Sequence, residues 1–245
     1  MIRLNTSRPL FASARMRRAV NYAVDRRALA ANGGTFHAHA TVAQMYLPPG
    51  VPGYRDEHIY PLRPDVAAAR RLAGPGRRTA LLYCYLGGGG PRAARIIARN
   101  LAAIGIDVQV KCFPGDQFWG RMLTPAAPWD LAVDGYGGIA DPGDYLDSYA
   151  RRGAYNAEHL HDPRVDSLVA SAARKSGLAR AVAYARVDHA LVRDAAPEIA
   201  FANESTHDFF SARVGCQLYS SAGMDLGALC IRTGHDAADP KPSVP

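Results

Sequence analysis

The sequence predicts an α/β fold, and three consecutive stretches of the chain support that prediction. Residues 79–86 form a continuous apolar run of strand length, residues 91–104 repeat apolar side chains at helical spacing, and residues 106–113 alternate as a half-buried strand does. A strand, a helix and a second strand in this order predict two parallel strands joined by a right-handed crossover. The chain has 245 residues, of which 48% are hydrophobic and 21% charged, enough for a globular core.

The elements before this unit are a short extended segment, a helix, an irregular stretch and a second helix. Spacings of three and four place one apolar helix face over residues 15–27, formed by Met16, Ala19, Val20, Ala23 and Val24. The glycines that follow Asn32 end this pattern. Residues 41–60 contain prolines and glycines that exclude regular structure, and a short helix begins at residue 64.

The elements after the unit alternate in the same way. The sequence predicts helices over residues 115–122, 163–175 and 178–194, and strands over residues 129–136, 198–202 and 206–214. The last eleven residues, 235–245, are small, polar and rich in proline, so we expect a disordered tail there.

Composition argues against two classes of partner. Lys and Arg outnumber Asp and Glu by 29 to 22, a formal net charge of +7, but the basic residues are scattered among acidic ones, so we expect no nucleic-acid partner. No apolar run is long enough to span a membrane. The first five residues lack the apolar block of an export signal, so a secreted form would have had its signal lost or removed.

Motifs of catalysis are absent from the sequence. No nucleophile elbow or metalloprotease helix occurs, and the glycine run at residues 87–90 lacks the residues that complete a phosphate loop. We therefore expect neither an enzyme nor a bound cofactor. The pairs His37 with His39 and His159 with His161 could chelate a metal, but the favoured interpretation is surface histidines and no metal site.

The four cysteines leave two alternatives open. Cys84 and Cys112 lie in neighbouring predicted strands, and Cys216 and Cys230 flank a turn. Two disulfides would suit an oxidising compartment, whereas four buried free thiols would suit a reducing one. No zinc spacing is present.

Three segments resemble the extracellular solute-binding proteins of peptide and nickel ABC importers, known as solute-binding family 5. The first is residues 4–11 leading into the helix at 15–27; the second is the Pro- and Gly-rich element at 47–54; the third is the helix end and strand at 104–110. Together with weaker matches, the resemblance covers residues 2–214.

The resemblance implies a periplasmic-binding-protein type II lobe, which is a mixed sheet of about five strands flanked by helices. Residues 1–234 would form the second, C-terminal lobe, with the tail at 235–245 after it. The family captures oligopeptides or related small solutes in a cleft between two lobes and delivers them to an ABC permease, outside the cytoplasm and without covalent chemistry.

The resemblance also indicates candidate ligand-binding residues. In the family a strand ends in an aromatic residue that faces the cleft; the matching position here is Tyr136, which Gly137 follows. Trp119, in the predicted helix at 115–122, is a further candidate ranked below Tyr136, and its alternative is packing in the core. In the family an acid that grips the ligand's ammonium group normally follows the aromatic residue, but this chain has no acid there, which argues against peptide specificity. Asp141 is a possible substitute, and the alternative is that Asp141 caps the next helix.

Two further expectations concern the first lobe, which the matched region does not include. The chain alone should bind solute weakly or not at all, because one wall of a cleft cannot desolvate a ligand. The cleft face and residues 216–231 should expose apolar surface that favours the missing N-terminal lobe or self-association. The alternative function is a ligand-sensing or interaction module without transport.

Overall fold

The computed structural model of the protein describes residues 1–32, 39–87, 89–124, 126–135, 137–138, 140–151, 153, 155–205, 208–220 and 223–232. The chain divides into two compact units, Met1–Thr206 and His207–Pro245. The predicted tail at 235–245 lies outside the described residues.

The first unit contains eight α-helices and seven β-strands among its described residues. The helices are α1 Ala14–Ala23, α2 Arg26–Ala31, α3 Val66–Ala73, α4 Gly90–Ala102, α5 Gly115–Met122, α6 Pro142–Leu146, α7 Pro163–Ala173 and α8 Gly177–Ala190. The strands are β1 Ile2–Leu4, β2 His39–Val42, β3 Arg78–Tyr85, β4 Ile106–Phe113, β5 Leu131–Val133, β6 Glu198–Ile199 and β7 Ala202–Ser205.

A mixed five-stranded sheet organises the first unit, in the order β4-β3-β5-β1-β6. Strand β3 is parallel to both β4 and β5, and α4 connects β3 to β4, which confirms the predicted strand-helix-strand unit. Strand β1 runs antiparallel to both of its neighbours, β5 and β6. The predicted fold class, an α/β lobe with a mixed sheet of about five strands, is confirmed.

The two faces of the sheet pack against different helices. Leu82 and Cys84 of β3 belong to a core that includes apolar side chains of α1 and α4. Tyr83, which alternates to the opposite face, packs with Phe118 of α5 and with the buried Trp129. This alternation explains why an apolar run without visible periodicity forms a central strand.

A second core lies under the irregular segment that precedes α3. Tyr46 and Leu47 from this segment pack with apolar side chains of α7 and α8, among them Val165, Tyr184 and Leu191. The last turn of α8 continues as a π-helix over Leu191–Ala195. Proline and glycine therefore exclude regular structure here without excluding burial.

Several predicted boundaries are wrong. The helix predicted over 15–27 is two helices, because Val24 is extended and Asp25 caps α2 by accepting a hydrogen bond from the Ala28 amide. The predicted irregular stretch at 41–60 includes the end of β2, which pairs with β7. Of the strand predicted over 129–136, the described residues form a strand only at Leu131–Val133.

The strand predicted over 206–214 is also wrong. Residues 208–213 form no strand, and the Phe209 side chain is 93% exposed, so it is not packed in a core. In the second unit the described strands are β8 Val214–Gly215, β9 Tyr219–Ser220, β10 Gly223–Met224 and β11 Cys230–Ile231. They form two antiparallel pairs, β8 with β11 and β9 with β10.

Both cysteine pairs form disulfides, which decides between the two alternatives left open by the sequence. Cys84 and Cys112 are register partners on the parallel strands β3 and β4. The second disulfide joins Cys216, the residue after β8, to Cys230, the first residue of β11, 14 residues along the chain. No free cysteine remains in the chain.

Candidate functional site

Four strands of the sheet point their carboxyl ends toward the same edge. Strands β3, β4 and β5 are parallel, and β6 runs in the direction of β5 because both are antiparallel to β1. In α/β sheets, ligands bind at the carboxyl ends of the strands, where the following loops converge. Here that edge carries α5, which follows β4, and the loop that follows β5.

Two adjoining pockets lie among these loops, with volumes of about 280 Å³ and about 420 Å³. Their walls share Met1, Tyr46, Gly135, Gly137 and Tyr145, so the two pockets are adjacent, and together they are called the cleft below. The smaller pocket is called the aromatic pocket and the larger one the second pocket.

The aromatic pocket owes its shape to rings from separate parts of the chain. Tyr46 and Tyr149 stack with ring centroids 5.3 Å apart. Trp119 of α5 is 40% exposed, and its ring forms a T-shaped pair with the buried Phe118, with centroids 5.3 Å apart. Tyr155, from the segment between α6 and α7, adds another exposed ring. Aromatic rings of this kind provide large apolar contact area for a ligand.

The loop after β5 is held by a tyrosine that itself lines the cleft. The Tyr145 hydroxyl accepts a hydrogen bond from the Gly138 amide at 3.3 Å and donates one to the Gly138 carbonyl at 3.2 Å. A Cβ on Gly138 would lie 2.3 Å from Asp144 Oδ2 and 3.1 Å from the Tyr145 ring, so a larger residue there would displace the Asp144 side chain. A Cβ on Gly137 would meet nothing within 4 Å, because Gly137 faces open space in the cleft.

A buried cluster of charges lies behind the cleft wall. The Arg3 guanidinium donates to Asp134 Oδ2 at 2.7 Å, lies 2.9 Å from Glu198 Oε1 and also pairs with Glu158. All three carboxylates are at most 1% exposed. Arg3 lines the aromatic pocket and Glu198 the second pocket, so the cluster joins the two.

The pKa values in this cluster move away from their ordinary ranges. Burial alone would lower the pKa of Arg3, but the attraction of the three carboxylates outweighs burial and raises it well above its ordinary value. Burial raises the pKa of Asp134 although Arg3 opposes the shift. Burial raises the pKa of Glu198 further, and the neighbouring Glu158 adds to the effect. Arg3 is therefore committed to neutralising these acids.

Tyr46 is fixed in the cleft wall by hydrogen bonds at both ends. Its hydroxyl donates to the Glu198 carbonyl at 2.8 Å and accepts from the Glu198 amide at 3.0 Å. The backbone amides of Tyr46 and Leu47 donate to the buried carboxylate of Asp188, at 3.0 and 3.2 Å. Burial raises the pKa of Asp188 to about 7, although these two amides act in the opposite direction.

Asp141 holds the start of α6. Its carboxylate accepts a hydrogen bond from the Gly143 amide at 2.7 Å and pairs with Arg180 of α8 at 2.7 Å. Burial alone would raise the pKa of Asp141, but the hydrogen bonds from Arg180 and Gly143 outweigh it and lower the pKa. Asp141 does not line either pocket of the cleft.

The structure brings two of the four residues suggested by sequence into the cleft. Trp119 and Gly137 both line the aromatic pocket. Asp141 occupies the helix-cap position that the sequence left as the alternative, and whether it contacts ligand stays a prediction. Tyr136 lies outside the described residues.

Sequence reasoning missed most of the cleft wall. Tyr145 lies four residues after Asp141, a candidate that the sequence did indicate, so its position could have been noticed. Tyr46 immediately precedes the Pro- and Gly-rich element, but nothing local distinguishes it from a core tyrosine. The partners of Arg3 are 131 or more residues away along the chain, and no spacing rule predicts their convergence.

Two further findings apply to the described part of the chain. Within it, no group of three or more histidine, cysteine, aspartate or glutamate side chains is arranged to hold a metal ion. His37 lies outside that part. No helix there is both long and apolar enough to cross a bilayer.

The family profile of the bacterial extracellular solute-binding proteins, family 5 Middle, matches residues 1–157. This match spans more than half of the chain, and the chain therefore belongs to solute-binding family 5. Solute binding is the activity by which this family is defined. No curated protein matches the sequence.

Solved structures of similar fold cover nearly all of this chain. The clavulanic acid biosynthesis oligopeptide binding protein 2 is 22% identical with a TM-score of 0.82, over 95% of this chain and 46% of its own. DppA from Helicobacter pylori, in complex with peptide STSA, is 22% identical with a TM-score of 0.75, over 95% and 46%.

HbpA2 from Haemophilus parasuis has the same identity and a TM-score of 0.75, over 95% of this chain and 48% of its own. The chain thus spans about half the length of these proteins. This structural similarity confirms the predicted fold, that of a periplasmic-binding-protein lobe.

Proposed function

We propose that this chain forms one wall of the ligand site in the substrate-binding component of an ABC importer for oligopeptides or related small solutes. The observation that carries the proposal is the cleft at the carboxyl edge of the sheet. It is lined by Trp119 and Gly137, and by Tyr46 and Tyr145, whose hydroxyl groups are held by hydrogen bonds. Capture would proceed by closure of a second wall over the solute, with no covalent step.

Peptides are the first class of solute to test. The Helicobacter pylori DppA structure contains the peptide STSA, and the Haemophilus influenzae OppA structure contains RPPGFSPFR. A peptide ligand for this chain is an inference from these proteins together with the cleft. In the proposed site Trp119, Gly137 and Tyr136 contact the ligand, and Asp141 caps α6.

The two disulfides support an extracellular or periplasmic location. Structural disulfides form and persist in oxidising compartments and are rare in the cytosol. Cys84 and Cys112 link adjacent strands of the central sheet, and Cys216 and Cys230 link the strands of the second unit. The same proposal implies two partners. One is a permease in the membrane, and the other is a second wall of the cleft, from the preceding lobe or from another chain.

A titration by nuclear magnetic resonance tests this function. Short peptides, with glucose as the control solute, are added to the isotope-labelled 245-residue protein. We expect dissociation constants of roughly millimolar order, because a ligand against one wall buries only part of its surface. Chemical-shift changes should cluster at Gly137, Trp119 and Tyr145. Changes that map elsewhere, or no changes at tens of millimolar peptide, would contradict the proposal.

A further inference from the structure

We infer that the aromatic pocket is a specificity pocket for an apolar, ring-sized group of the ligand, such as a phenyl or branched aliphatic side chain. The inference rests on the proposed function and adds to it the chemical class of the solute. Its basis is the contrast between Arg3, Tyr46 and Tyr145, whose polar groups are held by other parts of the chain, and the apolar surfaces that remain uncovered.

Three polar side chains of the pocket wall, those of Arg3, Tyr46 and Tyr145, are engaged by the protein itself. Arg3 is held by three buried carboxylates. The Tyr46 hydroxyl exchanges two hydrogen bonds with the backbone of Glu198, and the Tyr145 hydroxyl exchanges two with Gly138. A polar ligand group placed here would lose its water and find these partners occupied, which is unfavourable.

The apolar surfaces of the pocket are, by contrast, open to solvent. Trp119 is 40% exposed, Leu123 is 47% exposed and Tyr155 is 67% exposed. Met122 completes the wall beneath them. Covering such surface with an apolar group is favourable in proportion to the area removed from water.

The size of the pocket indicates the size of the group. Its volume of about 280 Å³ exceeds the roughly 150 Å³ of an engineered apolar protein cavity that takes up benzene. The exposed rings of Trp119 and Tyr155 allow offset-stacked or edge-to-face contact with an aromatic ligand group. One side chain fits, whereas a whole peptide does not.

Two matched, uncharged probes test the inference without a full peptide. N-acetyl-L-phenylalaninamide and N-acetyl-L-alaninamide differ only in the phenyl ring. Each is titrated into the labelled 245-residue protein while the Trp119 indole signal, assigned with Trp119→Phe, is followed. We expect the phenyl probe to bind at least about tenfold more tightly, since burying a ring removes a large apolar area from water.

Two exposed leucines provide the variant and its control. Leu123→Ala removes part of the pocket wall and should reduce the preference for the phenyl probe severalfold. Leu178→Ala changes an 81% exposed leucine on α8, outside the cleft, and should leave that preference unchanged. Because both side chains are exposed, neither substitution should prevent folding.

The outcomes separate this inference from the proposed function. Equal binding of both probes, or a preference that survives Leu123→Ala, would overturn the inference while leaving solute binding in place. Binding of neither probe would also overturn it, because the pocket is already formed in this chain. The proposed function is tested independently by peptides without large apolar side chains, such as trialanine, whose shift changes should still map to the cleft.

Discussion

The buried carboxyl group of Asp188 makes a quantitative prediction about stability and pH. Its pKa is raised to about 7 in the folded protein, mainly by burial, whereas an unfolded aspartate titrates near 3.8. Between these values the folded protein binds more protons than the unfolded chain. The free energy of unfolding contributed by this group is therefore highest at low pH and declines as pH rises toward about 7.

The two pKa values set the magnitude of this effect. From about pH 5 to about pH 8 the contribution of Asp188 falls by about 2 to 3 kcal/mol. The group is almost fully buried, so solvent screening reduces this figure little. Asp188→Asn removes the titration, although the asparagine can accept only one of the two amide hydrogen bonds and lowers stability at every pH.

Urea unfolding of both proteins at the two pH values measures the effect. The difference in unfolding free energy between the native protein and Asp188→Asn should shrink by about 2 to 3 kcal/mol at the higher pH. Subtracting the variant cancels the titrating groups that do not interact with Asp188. A difference that stays constant or grows with pH would refute the assignment of a raised pKa to Asp188.

Three more predictions concern other parts of the molecule. Arg3→Met should lower the free energy of unfolding by about 3 to 5 kcal/mol at neutral pH, because three buried carboxylates lose their partner. A smaller loss in acid would identify the charges as the cause, whereas an unchanged urea midpoint would contradict a stabilising role for Arg3. Asp141→Ala should lower stability by about 1 kcal/mol through loss of the helix cap, with peptide affinity unchanged; a large loss of affinity would show direct ligand contact. The double variant Cys216→Ser, Cys230→Ser should lower the unfolding free energy of the second unit by about 2 to 4 kcal/mol, measured as faster amide hydrogen exchange there. Equal exchange rates in the variant and the native protein would contradict this.

The parts of the fold that the sequence predicted are those with local signals. Strands β3 and β4 and helix α4 lie within 36 consecutive residues, and glycine marks the end of α4. Such a unit can be recognised because its strand and helix periods differ and its connections are short. The first helix was recognised for the same reason, although its break at Asp25 depends on a single capping side chain.

The missed parts depend on contacts between distant segments. Strand β1 has three residues and lies between β5 and β6, and no pattern in so short a segment reveals its neighbours. The strand predicted at 206–214 failed because β propensity was read without knowing whether a core was available. In the cleft, Trp119 and Gly137 could be predicted, whereas Tyr46 is placed by Asp188, which lies 142 residues away.

The most direct test of the central claim is to fill the cleft at Gly137 and measure peptide binding. A side chain at Gly137 meets no atom within 4 Å, so Gly137→Leu should fold normally and project into the cleft. Gly120→Leu is the matched control, because Gly120 of α5 also has open space but does not line the cleft. The account predicts that Gly137→Leu abolishes the peptide-induced shift changes while Gly120→Leu retains them. Native peptide binding by a well-folded Gly137→Leu protein would contradict it.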